Sequence, residues 1–142
     1  MKRTMVVAWL AFVFMASTAM AYECTKGPSK GAEQFFAQVV EHLVKGESQA
    51  VLRSSVEAIQ SKAQDFKKMV DYVSSYGPPR TMNLIAYKCY PQDPGYERFY
   101  AVLCYPQNKA LGLDITITHT QKGLVLRHLR VDARQGLEKF CQ

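Results

Sequence analysis

The sequence predicts an α+β fold in which N-terminal helices pack on an antiparallel sheet of about four strands. Two observations predict it. Apolar residues recur at helical spacing from residue 32 to about residue 76. After "YGPPR" (residues 76–80) the period changes to that of strands, and four such segments follow in a row, separated by turn chemistry.

The first helix is read from "AEQFFAQVVEHLV" (32–44), where Phe35, Phe36, Val39, Val40, Leu43 and Val44 form one broad apolar stripe and Gly46 is a natural stop. Ser48 is placed to cap a second helical stretch carrying Val51, Leu52, Val56 and Ile59, continued by Phe66, Met69, Val70 and Val73. No glycine or proline interrupts residues 47–76, so this is one long helix or two with a polar joint near Ser61. The two prolines at 78 and 79 end it.

The strands are "TMNLIAYKCY", "YERFYAVLCY", "ALGLDITITHT" and "GLVLRHLRVD". In the third, Leu111, Leu113, Ile115 and Ile117 share one face and Asp114, Thr116 and Thr118 the other, so one face is buried and the other wet. A short "QKG" link makes strands three and four a hairpin, with Gly123 available for a positive φ. In strand four Leu124 and Leu126 share one parity while Val125, Leu129 and Val131 share the other; either both faces are partly covered or a bulge near Arg127 and His128 shifts the register. The four residues Cys-Tyr-Pro-Gln occur twice, at 89–92 and 104–107. They mark two strands that end alike, because four residues are too few for a structural repeat.

The opening "MKRTMVVAWLAFVFMASTAMA" has the basic start, apolar run and small-residue end of a secretory signal, with cleavage expected after Ala21. Its apolar run is shorter than a membrane span of ~20 residues. Of 142 residues, removal of 21 leaves 121, enough for a single domain over 22–142. Lys2 and Arg3 leave with the signal, so 16 basic and 12 acidic residues give +4 instead of +6. These charges are scattered without blocks of one sign, which excludes an evident nucleic-acid footprint. A periplasmic or secreted location is expected, without a membrane anchor after cleavage. Cys24, Cys89, Cys104 and Cys141 all lie in the exported part and read as two disulfides. No Cys-x-x-Cys pair supports redox or zinc chemistry. Three connectivities are open. The pattern expected is Cys24 to Cys141, tying the ends together, with Cys89 to Cys104, although a hairpin centred on Asp93 and Pro94 sets Cys89 nearer Phe99 than Cys104.

The amphipathic "FFAQVVEHLVKGESQAVL" followed by "YGPPRTMNLIAYK" leading into the meander resembles the NTF2-like superfamily, over roughly residues 32–133. The resemblance is one of element order and length. It implies a cone-shaped domain whose curved sheet wraps the helices, with a pocket between them that serves catalysis in some members and binding in many. A cystatin-like sheet around one helix has a similar order, but the helical part here is long for it. Enzymatic members of the superfamily place an acid, often with histidine or tyrosine, inside the pocket.

The candidates for such chemistry are few. His42 sits at the edge of the helical stripe and reads as a boundary residue; His119 points with the leucines and isoleucines but stands at a strand end; His128 lies in strand four. Asp114 is sent to the wet face and Asp132 ends strand four, and neither has a histidine at a spacing that forces a pair. Gly-x-Ser-x-Gly, His-Glu-x-x-His and phosphate-loop motifs are absent. More suggestive is the aromatic cluster of Tyr87, Tyr90, Tyr96, Phe99, Tyr100 and Tyr105 around one hairpin, with Lys88, Arg80 and Arg98 at its rim. Rings of this kind serve strand packing and also recognition of a protein or a sugar. The function expected is that of a small exported binding or interaction protein without catalysis or cofactor, a monomer or homodimer engaging a protein or small ligand. An inhibitor or immunity protein, or an accessory factor of an envelope complex, fits that class. The alternative is an isomerase or dehydratase working in the helix-sheet pocket.

Overall fold

A computed structural model describes residues 27–91 and 94–142. The predicted signal segment and Cys24 lie outside the described residues. Helix α1 spans Lys30–Lys45. Ser29 begins it in extended conformation with its hydroxyl accepting from the Ala32 N–H, and Gly46 ends it at φ 75°. Ala32, Phe36, Val39, Val40 and Leu43 are its buried face.

The second helical stretch, read as one helix or two with a joint near Ser61, is three: α2 (Ser48–Arg53), α3 (Glu57–Gln60) and α4 (Ala63–Ser75), with the joint at 61–62 and a further break at 54–56. Ser48 is the first residue of α2 and buried, not a cap; Glu47 precedes the helix without a side-chain cap. The helical pattern breaks because residues 54–56 turn aside to pair with the sheet: the Leu126 N–H donates to the Ser54 carbonyl at 2.7 Å and the Val56 N–H to the Leu126 carbonyl at 2.9 Å. The Gln60 amide then donates to the Leu52 and Ser55 carbonyls at 3.1 and 2.9 Å, supplying partners to groups the break leaves open.

Four strands follow in chain order as an antiparallel meander: β1 (Thr81–Tyr90), β2 (Tyr96–Tyr105), β3 (Lys109–Thr120) and β4 (Gly123–Asp132). Gln107 and Asn108 take positive φ in the β2–β3 turn, which the second Pro-Gln opens. Gly123 closes the β3–β4 turn at φ 117°. The parity conflict in β4 is resolved by a bulge: Thr116 faces His128 and Ile117 faces Leu126, leaving Arg127 as the extra residue. A second bulge leaves Ile85 unpaired between Leu84 and Ala86 in β1.

The helices cover the inner face. Phe36 stacks on Phe99 with ring centroids 4.7 Å apart, and Leu111, Leu113, Ile115, Ile117 and Leu126 complete the core. On the outer face a short 3-10 turn, Leu137–Cys141, packs on one end, where Leu137, Val102 and Cys104 are buried together. Cys104 is bonded to Cys141, with Cα atoms 5.7 Å apart. This overturns the expected pairings of Cys24 with Cys141 and Cys89 with Cys104. Cys89 stands opposite Glu97 and Cys104 opposite Thr81. The two are roughly 23 Å apart along the ladder and on opposite faces of the sheet. Cys89 is nevertheless disulfide-bonded.

Candidate functional site: the two faces of the sheet

Strand parity divides the chemistry. On the inner face, Glu97 is wholly buried among the core residues of β2. Its carboxylate accepts from the Ser29 N–H at 2.9 Å, the Ser29 hydroxyl at 2.8 Å, the Tyr87 hydroxyl, and meets His119 Nε2 at 2.7 Å. Burial pushes this carboxyl up, but the bonds from Tyr87, Ser29 and His119 outweigh it and hold the group below its usual value. A carboxylate has about four acceptor sites, and four groups occupy them. Ser29 is also the cap of α1, so an anion sits where the helix dipole is positive. The arrangement anchors the first helix to the sheet.

Chemically, this cluster has the wrong order for acyl transfer. A serine nucleophile needs a histidine between itself and the acid; here the acid lies between Ser29 and His119. No cysteine among the described residues is free. The space in which a substrate would sit carries the stacked Phe36 and Phe99 and the fully buried Ile115, with Phe35 packed against that core. Glu97 was not among the sequence candidates. Its signal was present: it shares parity with Phe99, Ala101 and Leu103, and an acid on an apolar face needs partners.

The outer face is open where the C-terminal turn leaves it. Lys88, Arg98, Thr116 and His128 align as one transverse row through the register of all four strands. Arg98 forms a two-pronged pair with Asp114, Nε to Oδ1 at 2.8 Å and Nη2 to Oδ2 at 2.6 Å. That pair holds the Asp114 carboxyl below its ordinary value against the opposing effect of burial. Asp132 accepts from the Tyr100 hydroxyl at 3.1 Å and from Arg134 Nε at 2.7 Å. Burial raises the Asp132 carboxyl, while the Arg134 N–H and side chain and the Tyr100 hydroxyl lower it more. Gly112 is required beside them: a Cβ there would lie 2.7 Å from the Tyr100 hydroxyl.

Tyr90 stacks on Tyr96 at 4.4 Å, and the Arg127 guanidinium lies 4.7 Å from the Tyr96 ring centre. The bulge therefore places a cation over the aromatic pair. A hollow of about 310 Å³ is lined by Tyr90, Tyr96, Arg98, Thr116, Arg127 and His128. A second, of about 190 Å³, lies between Arg98, Tyr100, Asp114, Arg130, Asp132 and Arg134.

The aromatic cluster expected from the sequence is thus split. Tyr90, Tyr96 and Tyr100 line the outer hollows. Phe99 and Tyr105 are buried core residues of the inner face, and Tyr87 is spent on Glu97. His42 is a boundary residue as read, half-exposed and 2.9 Å from the Glu47 carboxylate. His119 has the parity read for it, and its ring meets the acid of β2. Asp114 does lie on the outer face, but Arg98 and its neighbours bury it. Among the described residues no cluster of His, Cys, Asp and Glu is arranged to hold a metal. No helix among them is long and apolar enough to cross a membrane.

Comparison with known proteins bears on the fold alone. The chain matches no protein-family model and no curated relative. Among solved structures it is similar to a Campylobacter jejuni protein named "Putative NTF2-like transpeptidase", with a TM-score of 0.53 and 7% identity, over 68% of this chain and 96% of that one. Helices followed by a curved four-stranded antiparallel meander therefore define an α+β domain of NTF2-like fold.

Proposed function

We propose that the chain is a small exported binding protein without catalytic activity, and that the outer face of its sheet is the working surface. The observation that carries this reading is the contrast between the two faces. The inner face is filled by the core, and its one buried acid is bonded on every side. The outer face presents exposed Lys88, Arg98, Arg127, His128 and Arg130 beside the Tyr90 and Tyr96 rings. The signal-like start and the disulfides support export to the periplasm or beyond. The transpeptidase name of the structural neighbour finds no support among the described residues, because the Ser29, Glu97 and His119 order and the bonded Cys89, Cys104 and Cys141 provide no activated nucleophile there. The isomerase or dehydratase reading likewise finds no free base in the helix-sheet interior among the described residues, where the Glu97 carboxylate is bonded to Ser29, Tyr87 and His119.

The test is retention of components from the envelope fraction of the source cells by immobilised protein, with Arg127→Glu/Arg130→Glu as the comparison. Retention by the wild type that the folded variant loses is expected. Equal retention by both would overturn the assignment to the outer face.

A further inference from the structure

Resting on that reading, we infer that the outer face binds an acidic polysaccharide, a chain of sugars bearing carboxylate or phosphate groups. The first argument is charge. Lys88, Arg98, Arg127, Arg130 and Arg134 are five exposed cations on or beside this face, against the two carboxylates of Asp114 and Asp132. Both carboxylates are already engaged, Asp114 by Arg98 and Asp132 by Tyr100 and Arg134. Lys88, Arg127 and Arg130 remain as cations in excess, which favours an anionic occupant.

The second argument is shape. The row Lys88, Arg98, Thr116 and His128 crosses four strands, and three inter-strand steps of about 4.8 Å make it about 14 Å long. Arg127 extends it at the β4 end, and Lys88 opens a third hollow of about 170 Å³ with Ala86, Arg98 and Tyr100 at the other. Arg98 lines all three hollows, so they form one track with a fixed guanidinium at its centre. A linear polyanion lying across the strands meets cations along its length.

The third argument separates a sugar chain from an acidic protein. Protein interfaces have an apolar centre depleted in charge. The large exposed apolar side chains among the described residues, Tyr72, Met82 and Leu84, all lie off this face: Tyr72 on α4, Met82 and Leu84 opposite the inner residues Leu103 and Ala101. The track itself offers guanidinium groups, an imidazole, a threonine hydroxyl and phenols. These suit a hydroxyl-rich ligand that carries charge.

Titration of the full exported chain with polygalacturonate and with a phosphorylated mannan, followed by calorimetry at low and moderate salt, tests the inference. Dextran and poly-L-glutamate serve as the uncharged sugar and the acidic peptide. Saturable binding of at least one acidic polysaccharide is expected, weakened about tenfold or more in Lys88→Ala/Arg127→Ala and absent with dextran. The thermal midpoint of the variant, unchanged from the wild type, shows that it folds. Poly-L-glutamate binding as tightly as either acidic polysaccharide would overturn the sugar assignment and leave the outer face as an acidic-protein site. Binding of neither polysaccharide would also overturn it, while loss of envelope retention in Arg127→Glu/Arg130→Glu would still uphold the outer face as the working surface.

Discussion

The Glu97 carboxylate lies 2.7 Å from Nε2 of His119, 22 residues away in the chain, and the same carboxylate holds the cap of the first helix. Helix and sheet are therefore locked through one buried charge. Glu97→Gln replaces two acceptor oxygens with one and turns an amide N–H toward donors. A loss of about 3 kcal/mol is expected in denaturant unfolding. A change within 0.5 kcal/mol would remove Glu97 from this account.

Acid should unfold the protein for the same reason. The Glu97 and Asp114 carboxyls are both held below their ordinary values in the folded state. Their stabilisation is thus fully present above the unfolded carboxylate range of about 4 and is lost as pH falls through the lower folded values. The melting temperature should hold between pH 7 and 5 and fall steeply below about 4. A melting temperature that rose on acidification from pH 5 to 3 would contradict the sign.

Tyr105 is the opposite case. It is buried, its hydroxyl has no partner among the described residues, and burial pushes its phenol up to about 12. Tyr105→Phe removes an unpaired polar atom without opening a cavity. Stability unchanged or raised by about 1 kcal/mol is expected, with ligand retention intact. A loss of retention would return Tyr105 to the binding surface.

Disulfide mapping is a further check. Cys104–Cys141 closes the C-terminal turn onto the outer face, and Cys141→Ser should cost about 2–4 kcal/mol. With that bond made and Cys89 also bonded, the count of four cysteines leaves Cys24 as the remaining candidate partner. Cys89 stands opposite Glu97, which binds Ser29, five residues after Cys24. Non-reducing peptide mapping is expected to return Cys24–Cys89; a covalent dimer through Cys89 would contradict it.

Much of the fold is legible in the sequence because periodicity is local. The apolar stripe of α1, the glycine at its end and the strand character of β3 follow from spacing alone, but the wet face read for β3 does not: Asp114, Thr116 and Thr118 are buried as well. What escapes is set by pairing across the chain. The break at 54–56 occurs because Leu126 supplies better partners than another helical turn, and nothing within residues 47–60 records that. The disulfide depends on which face each cysteine occupies, and the bulge at Ile85 in β1 turns Cys89 to the inner face, away from Cys104. The site was legible in composition, as tyrosines with basic neighbours, but not in its division. Phe99 and Tyr105 differ by one position in parity from Tyr96 and Tyr100, and that step separates core from surface.

The most direct test is backbone amide NMR of the protein during titration with the acidic polysaccharide that binds. The account predicts shift changes concentrated at Lys88, Arg98, Thr116, Arg127, His128 and Arg130, with the Glu97 cluster undisturbed. Changes concentrated at Ser29, Tyr87, Glu97 and His119, with the outer row silent, would place the working site on the inner face and contradict it.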